Sequence, residues 1–403
     1  MRSAAALVIV ALVVGATAPR ASDAQSTAPA PLAIPFELVT RHIIVQVSVN
    51  KSRPLAFVLD TGANQAIVRM DVAKELGLSL IGSVSAGGAG AGRQTGQQVE
   101  KATWSLVGLE RVTQPVALAL PMPELSPALG RDVDGIIGGE FIKQFVVEVD
   151  YQARFIRLHD PRMFEYHGAG EAVSLEFNPS GHPVVNAIVT PQGARSLERS
   201  FMFDIGSGAA LVLHSPFVTE QRLPGPDVKT IRAIGGAGAG GRTAGRLGRV
   251  TALKIGSFVI SHPITLFSED KAGAFADPVR AGNIGARIAS RFRIFFDYGR
   301  RRMILEPSPT FAEPFDYAFS GIALRAERPD YHTFRVREVL EESPATEAGL
   351  AVGDVIVSID GAPAERLTLS AINEMLEKPV TRELVIRRGE QTIRTTLTPK
   401  RFI

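Results

Sequence analysis

Apolar positions along the chain fall mostly into short runs with the period of strands. The stretch Ile43-Ile44-Val45-Gln46-Val47-Ser48-Val49 leads through Pro54 into the apolar run Leu55 to Leu59, which predicts two strands. A short helix is predicted over 69–76, closed by Gly77, and a second over 140–144, ahead of a strand over 145–149. Residues 292–298 and 303–305 read as strands on either side of a solvated turn at Arg300-Arg301-Arg302. Short strands separated by glycines fit closed or strongly twisted sheets better than layered α/β folds.

The pattern repeats on a long period. Phe57-Val58-Leu59-Asp60-Thr61-Gly62-Ala63 returns as Met202-Phe203-Asp204-Ile205-Gly206-Ser207, with the aspartates 144 positions apart. Gly87-Gly88-Ala89-Gly90-Ala91-Gly92 returns 148 positions on as Gly235-Gly236-Ala237-Gly238-Ala239-Gly240. Ile136-Ile137-Gly138 and Phe145 match Asn283-Ile284-Gly285 and Phe292, both 147 apart. Three markers in one order at a nearly constant offset imply two copies of one unit, over 35–160 and 171–307, joined by a linker over 161–170. From Ser308 the pattern changes. An aromatic connector precedes strands over 321–326 and 333–340, a helix entered by Ser343-Pro344-Ala345 and ended near Gly349, and a strand within 352–361. A helix over 369–376 and a hairpin around Arg388-Gly389-Glu390 complete a third, α+β domain, so that 308–403 reads as connector and domain.

Composition narrows the chemistry. The chain has 403 residues and no cysteine, which excludes disulfides, thiol nucleophiles and thiolate metal sites. A net charge of +3, spread along the chain, implies no nucleic-acid partner. The stretch Gly87 to Gly92 lacks the helix and acidic residue of a dinucleotide loop, and the seven histidines lie scattered without metal-ligand spacing, so neither cofactor nor metal is expected. Gly206-Ser207-Gly208 has the wrong spacing for a serine-nucleophile elbow, and Ser207 reads as support for Asp204. Asp132 and Asp134 read as turn residues before Gly135, while Trp104 and Met122 fill core or cleft walls. At the start, Arg2 and the apolar Ala4 to Val14 read as a secretory signal over 1–24, with cleavage after Ala24 and a linker over 25–34. The chain is therefore expected to be exported, periplasmic or secreted, or membrane-anchored if that segment stays uncleaved.

An aspartate at the end of an apolar strand is costly unless its carboxyl is hydrogen-bonded or protonated. If the two repeats pack about a pseudo-twofold axis, Asp60 and Asp204 meet there and hold one proton between them. The ionised member can then take a proton from water while the protonated member donates to a carbonyl. Gly62 and Gly206 let the backbone approach each carboxyl and offer amide donors. Thr61 can hold the opposing loop.

Asp60-Thr61-Gly62-Ala63 after Phe57-Val58-Leu59, with Ile136-Ile137-Gly138 downstream, closely resembles the retropepsin-like and pepsin-like aspartic protease family, and the repeat resembles its two-lobed single-chain form. The resemblance implies a mainly β fold of two pseudo-twofold-related acid-protease-like lobes with catalytic Asp60 and Asp204, supported by Thr61, Gly62, Gly206 and Ser207. It also implies flaps around Gly87, Gly88, Gly90, Gly235, Gly236 and Gly238, and endopeptidase action on extended polypeptides by a monomer that is an internal pseudo-dimer. The second copy departs from the family pattern. Ile205 stands where the family has Thr or Ser, Asn283 replaces an apolar residue, and neither glycine-rich segment carries a flap tyrosine. Ser343-Pro344-Ala345, Ala348-Gly349-Leu350, Gly353-Asp354-Val355-Ile356 and Ile359-Asp360-Gly361 resemble a PDZ domain of the bacterial protease-associated kind. That resemblance implies capture of peptide C-termini at Phe319-Ser320-Gly321-Ile322 by strand addition. The alternative reading is a weak or inactive peptide-binding scaffold of the same fold.

Overall fold

The computed structural model describes residues 31–106, 108–112, 117–315 and 318–401. The leader over 1–24 lies outside the described residues. Leu32–Pro35, expected to end a linker, instead forms a strand paired antiparallel with Phe155–His159, because its alternating pattern buries Ile34 while Ala33 and Pro35 face outward.

Each repeat folds into one twisted sheet, and the two sheets share one strand order. In the first lobe the order runs Ser79–Gly87, Arg93–Glu100, Ala117–Leu120, Ala66–Arg69, Gly135–Ile137, Leu55–Leu59, His42–Val49, Trp104–Leu106, Leu109–Val112. In the second it runs Ile231–Gly238, Gly241–Arg249, Ile264–Ser268, Leu211–Leu213, Gly282–Gly285, Leu197–Asp204, Pro183–Thr190, Ala252–Ile255, Phe258–Ser261. Leu55–Leu59 is buried at every position, as an unbroken apolar run in a central strand requires. It lies parallel to Gly135–Ile137 and antiparallel to His42–Val49. Trp104 packs edge-on against Phe57 in the core of this lobe.

A third sheet joins the lobes. Val146–Asp150 pairs antiparallel with Phe292–Asp297, flanked by Phe155–His159 and Leu32–Pro35 on one side and by Arg302–Pro307 and Glu171–Ser174 on the other. Glu148 pairs with Phe295, its own counterpart 147 positions on, so the pseudo-twofold axis passes through this pair. The Glu148 carboxylate is buried on that axis, where it accepts from Arg157 at 2.6 Å, from Arg293 Nε at 2.8 Å and from the His159 ring at 2.9 Å. The turn at Arg300 to Arg302 is more than a solvated corner. Arg300 and Arg302 both reach the buried carboxylate of Asp297.

The C-terminal domain is a sheet ordered Ile322–Glu327, Thr333–Val339, Val355–Ile359, Arg382–Arg388, Gln391–Leu397, with helices Pro344–Glu347 and Leu369–Leu376. Its apolar core of Phe334, Val336, Ile356, Ile359, Ile372 and Ile386 is separate from that of the lobes. Leu369–Leu376 begins at Thr368, whose side chain caps Ala371 N at 3.1 Å, and buries Leu369, Ile372 and Leu376 along one stripe.

Candidate active site

Asp60 follows the central strand of the first lobe and Asp204 ends that of the second. Beyond each, the chain turns so that the second amide returns to the carboxyl. Gly62 N donates to Asp60 Oδ1 at 2.6 Å and Gly206 N to Asp204 Oδ1 at 3.0 Å. Ala63 N and Ser207 N close the same turns onto the main-chain carbonyls of the two aspartates at 3.4 and 3.2 Å.

The two turns press on one another across the axis. A Cβ at Gly62 would lie 2.7 Å from Asp204 Cγ, and one at Gly206 would lie 2.1 Å from Asp60 Cγ. The carboxyls hydrogen-bond each other. Burial raises both above the usual carboxylate range. For Asp60, its own Gly62 amide and the bond with Asp204 oppose the rise, whereas for Asp204 the neighbouring Asp60 charge adds to it, so Asp204 stands well above its ordinary value. One proton shared by the pair satisfies both causes.

Thr61 crosses between lobes. Its hydroxyl donates to Phe203 O at 2.7 Å and accepts from Ile205 N at 3.0 Å, fully buried. Ile205 has no hydroxyl to return the contact. Two polar side chains sit at the second turn instead. The His42 ring bonds Thr40 O through Nδ1 at 2.9 Å and lies against Gly208, and burial holds it below its ordinary pKa. Asn283 Nδ2 donates to Asp204 Oδ2 at 3.3 Å, and His214 Nε2 meets Asn283 Oδ1 at 2.9 Å. Sequence reading treated the histidines as scattered. The available signal was the recurrence of His42-Ile43-Ile44-Val45 as His182-Pro183-Val184-Val185, which marks one position in both copies. Tyr151 and Tyr298 also recur, each following an aspartate at the end of an inter-lobe strand. Both are buried, and burial followed by nearby dyad charge raises their hydroxyls far above the ordinary tyrosine range.

The glycine-rich segments form two hairpins that meet tip to tip. Gly87 and Gly88 lead into one tip and Gly90 lies in it, while Gly235, Gly236 and Gly238 belong to the strand Ile231–Gly238 that rises to the other. Gly92 N donates to Gly240 O at 2.6 Å and Gly240 N to Ala89 O at 2.9 Å. Only residues with little or no side chain let two backbones approach so closely, and a Cβ at Gly240 would lie 2.1 Å from Gly90 O.

In the C-terminal domain, Phe319 pairs its backbone with Lys400, the Ser320 carbonyl accepts from Ala345 N, and Gly321 turns at φ +84° against the Ser343 hydroxyl. Ile322 opens the edge strand beside Leu369–Leu376. That strand and helix both face the first lobe. Leu125–Leu129 packs on the strand, Gly130 abuts Leu369, and Thr40 N donates to Ser370 Oγ at 2.8 Å. Arg41 and Arg287, one from each lobe, pair with Glu377, and Tyr331 Oη donates to Asp132 Oδ1 at 2.9 Å.

Among the described residues no cluster of acidic and histidine side chains is arranged to hold a metal, and no helix is long and apolar enough to cross a membrane. Two acid-protease-like lobes with a paired-aspartate centre, followed by a PDZ domain, define the class. Residues 45–141 match the aspartyl protease family model and residues 335–388 match a PDZ domain model. The chain is 44% identical over 63 residues to serine protease HTRA1 of Xenopus laevis and 42% identical over 64 residues to that of Xenopus tropicalis. Each match covers 16% of this chain, which spans only 13% and 14% of those relatives' length. Among solved structures it is similar to an aspartic proteinase from Irpex lacteus, at 13% identity and TM-score 0.47 over 70% of this chain and 99% of that one. It is similar to Basic 7S globulin from soybean at 12% and 0.43, over 70% and 96%. The PDZ domain of HtrA3 bound to a phage-derived ligand matches at 27% identity and TM-score 0.19, over 21% and 85%.

Proposed function

We propose that this chain is an exported aspartic endopeptidase that hydrolyses extended polypeptides, with a PDZ domain for peptide C-termini whose edge strand packs on Leu125–Leu129 in this arrangement. The observation that carries the reading is the facing pair of carboxyls, Asp204 buried and Asp60 half-buried, each held by its own glycine amide and both pushed towards sharing one proton. Water between them loses a proton to ionised Asp60 as its oxygen attacks the scissile carbonyl carbon. Asp204 gives its proton to the carbonyl oxygen, leaving a gem-diol. On collapse, Asp60 returns its proton to the amide nitrogen, the C–N bond breaks, and a diol hydroxyl re-protonates Asp204. The hairpins overhead supply backbone donors and acceptors to an extended chain. Export is proposed on the leader-like residues 1–24, and a monomer on both aspartates lying on one chain.

Ile205 favours a second reading, a peptide-binding scaffold with weak or no hydrolysis, because one of the paired hydroxyl braces between the turns is missing. Cleavage of denatured protein from acidic to neutral pH, compared with Asp60→Asn and Asp204→Asn, separates the two. Cleavage blocked by a statine-type mimic and lost in both variants supports the enzyme. Peptide binding without products supports the scaffold, and cleavage surviving either substitution overturns the dyad.

A further inference from the structure

The repeats superimpose in topology but not in chemistry around the two aspartates. In the second lobe, His214 precedes helix Ser215–Glu220 and its amide donates to Ala281 O at 2.8 Å. In the first, Arg69 precedes helix Met70–Glu75 and its amide donates to Asp134 O at 2.7 Å. Asn283 sits on the strand Gly282–Gly285 where Ile136 sits on Gly135–Ile137. His214 and Arg69 are therefore counterparts, as are Asn283 and Ile136. The first pair of residues makes no polar path to Asp60, since Ile136 is apolar and the Arg69 side chain turns away to Asp71, Ser126 and Val133 O.

We propose that Asn283, oriented by His214, is the positioning residue that fixes Asp204 Oδ2, a contact that Ile136 cannot give Asp60. Asn283 Nδ2 donates to that oxygen, so its Oδ1 is left to accept, and His214 Nε2 must carry the proton that it accepts. Asn283 and His214 are each nearly fully buried, at 2% and 1% exposure, and reversing the amide would turn its oxygen onto the carboxylate, acceptor against acceptor. The Gly206 amide takes Oδ1 and the Asn283 amide takes Oδ2, so each Asp204 oxygen accepts an N–H. An N–H aimed at the carboxyl favours its charged form. Asn283 thus restrains the rise that burial and Asp60 impose, and keeps Asp204 acidic enough to protonate a substrate carbonyl.

The groups facing this path are few. Asp60, Tyr151 and Tyr298 act on Asp204, while Asp277 and its ion-pair partner Arg280 face His214 with the Phe275 ring. Burial holds His214 below its ordinary pKa, and with its proton on Nε2 the ring donates to Asn283 whether neutral or charged.

The inference rests on Asp204 being the acid of the proposed hydrolysis, and its test separates the two. Asn283→Ile installs the first lobe's residue, and His214→Phe keeps a ring against Phe275 without the donor. In the full chain, kcat is expected to fall about tenfold in Asn283→Ile with KM unchanged, and its alkaline limb to move up by about one pH unit. His214→Phe is expected to shift the limb the same way by less, and His214→Gln, which retains a donor, to restore part of it. A loss of melting temperature with an unmoved limb overturns the proposal. If the wild-type chain cleaves nothing, ¹³C NMR of aspartate-labelled protein reads the same point, with Asp204→Asn assigning the resonance. Asp204 titrating at higher pH in Asn283→Ile supports the proposal independently of proteolysis, and an unchanged titration defeats it.

Discussion

Gly206 forms the wall against which Asp60 rests, for a Cβ at residue 206 would lie 2.1 Å from the Asp60 carboxyl carbon. The reciprocal contact of Gly62 with Asp204 is looser, at 2.7 Å. Gly206→Ala is therefore expected to lower kcat/KM by at least about a hundredfold, and Gly62→Ala by less, with far-ultraviolet circular dichroism unchanged in both. Equal rates in the two variants would contradict the asymmetry.

Asp204 binds its proton more tightly in the folded chain than in the unfolded one, because burial and the Asp60 charge raise its pKa. The stability this contributes is whole below the ordinary carboxylate range and is lost as pH rises through the raised native pKa. Melting temperature is expected to fall from acidic to neutral pH in the wild type and to fall less in Asp204→Asn. At neutral pH the variant is expected to melt higher. Calorimetry across that range checks both points.

Glu148 carries the opposite sign. Burial works against its ionisation, but the bonds from His159 and Arg293 and the charges of Arg293 and Arg157 outweigh it and hold the carboxyl at about 2, against 4.5 ordinarily. Its contribution, up to about 3 kcal/mol, is present above the ordinary value and is lost as pH falls towards about 2. Glu148→Gln leaves two guanidinium groups facing a neutral amide on the axis, and should cost about 3–5 kcal/mol at neutral pH. Urea unfolding at pH 7 and pH 3 should show the difference between variant and wild type shrinking with acid.

Gly90 holds φ +88°, and a Cβ there would lie 2.6 Å from the Gly240 carbonyl carbon. Gly90→Val is expected to part the hairpin tips and raise KM for an extended peptide several-fold. The chain has no cysteine of its own, so spin labels on cysteines placed at Gln97 and Arg246 can report the distance. A wild-type distance distribution in the variant would show that the tips tolerate the side chain.

Glu377 ties the PDZ helix to both lobes through Arg41 and Arg287. Glu377→Lys replaces two attractions with two repulsions and is expected to enlarge the radius of gyration by small-angle scattering. Melting of the lobes should change by no more than about 1 kcal/mol, because these side chains are partly exposed.

The duplication, the aspartate turns and the third domain were legible because each depends on local residue type: apolar runs, Asp-Thr-Gly, and the Ala-Gly-Leu to Gly-Asp-Val spacing. The helix Leu369–Leu376 has the bounds its apolar stripe predicts. What surrounds the aspartates was less legible. Asn283 stood out as a departure, yet nothing near it in sequence names Asp204 as its partner, since the contact spans 79 positions and depends on how strands lie side by side. His214 was hidden for the same reason. The strand Leu32–Pro35 was missed because four residues rich in Pro and Ala carry little strand signal until Phe155–His159 supplies a partner. The docking of the PDZ edge on the first lobe leaves no periodic mark in either segment.

Carrying both halves on one polypeptide has an outcome that reaches past assembly. A centre built from two identical chains must accept every substitution twice, once on each side of its axis. Here Thr61 braces the opposite turn while Ile205 offers no hydroxyl in return, and an amide stands beside a single carboxyl. Covalent tethering thus freed the halves to specialise, and it makes the site's integrity independent of dilution.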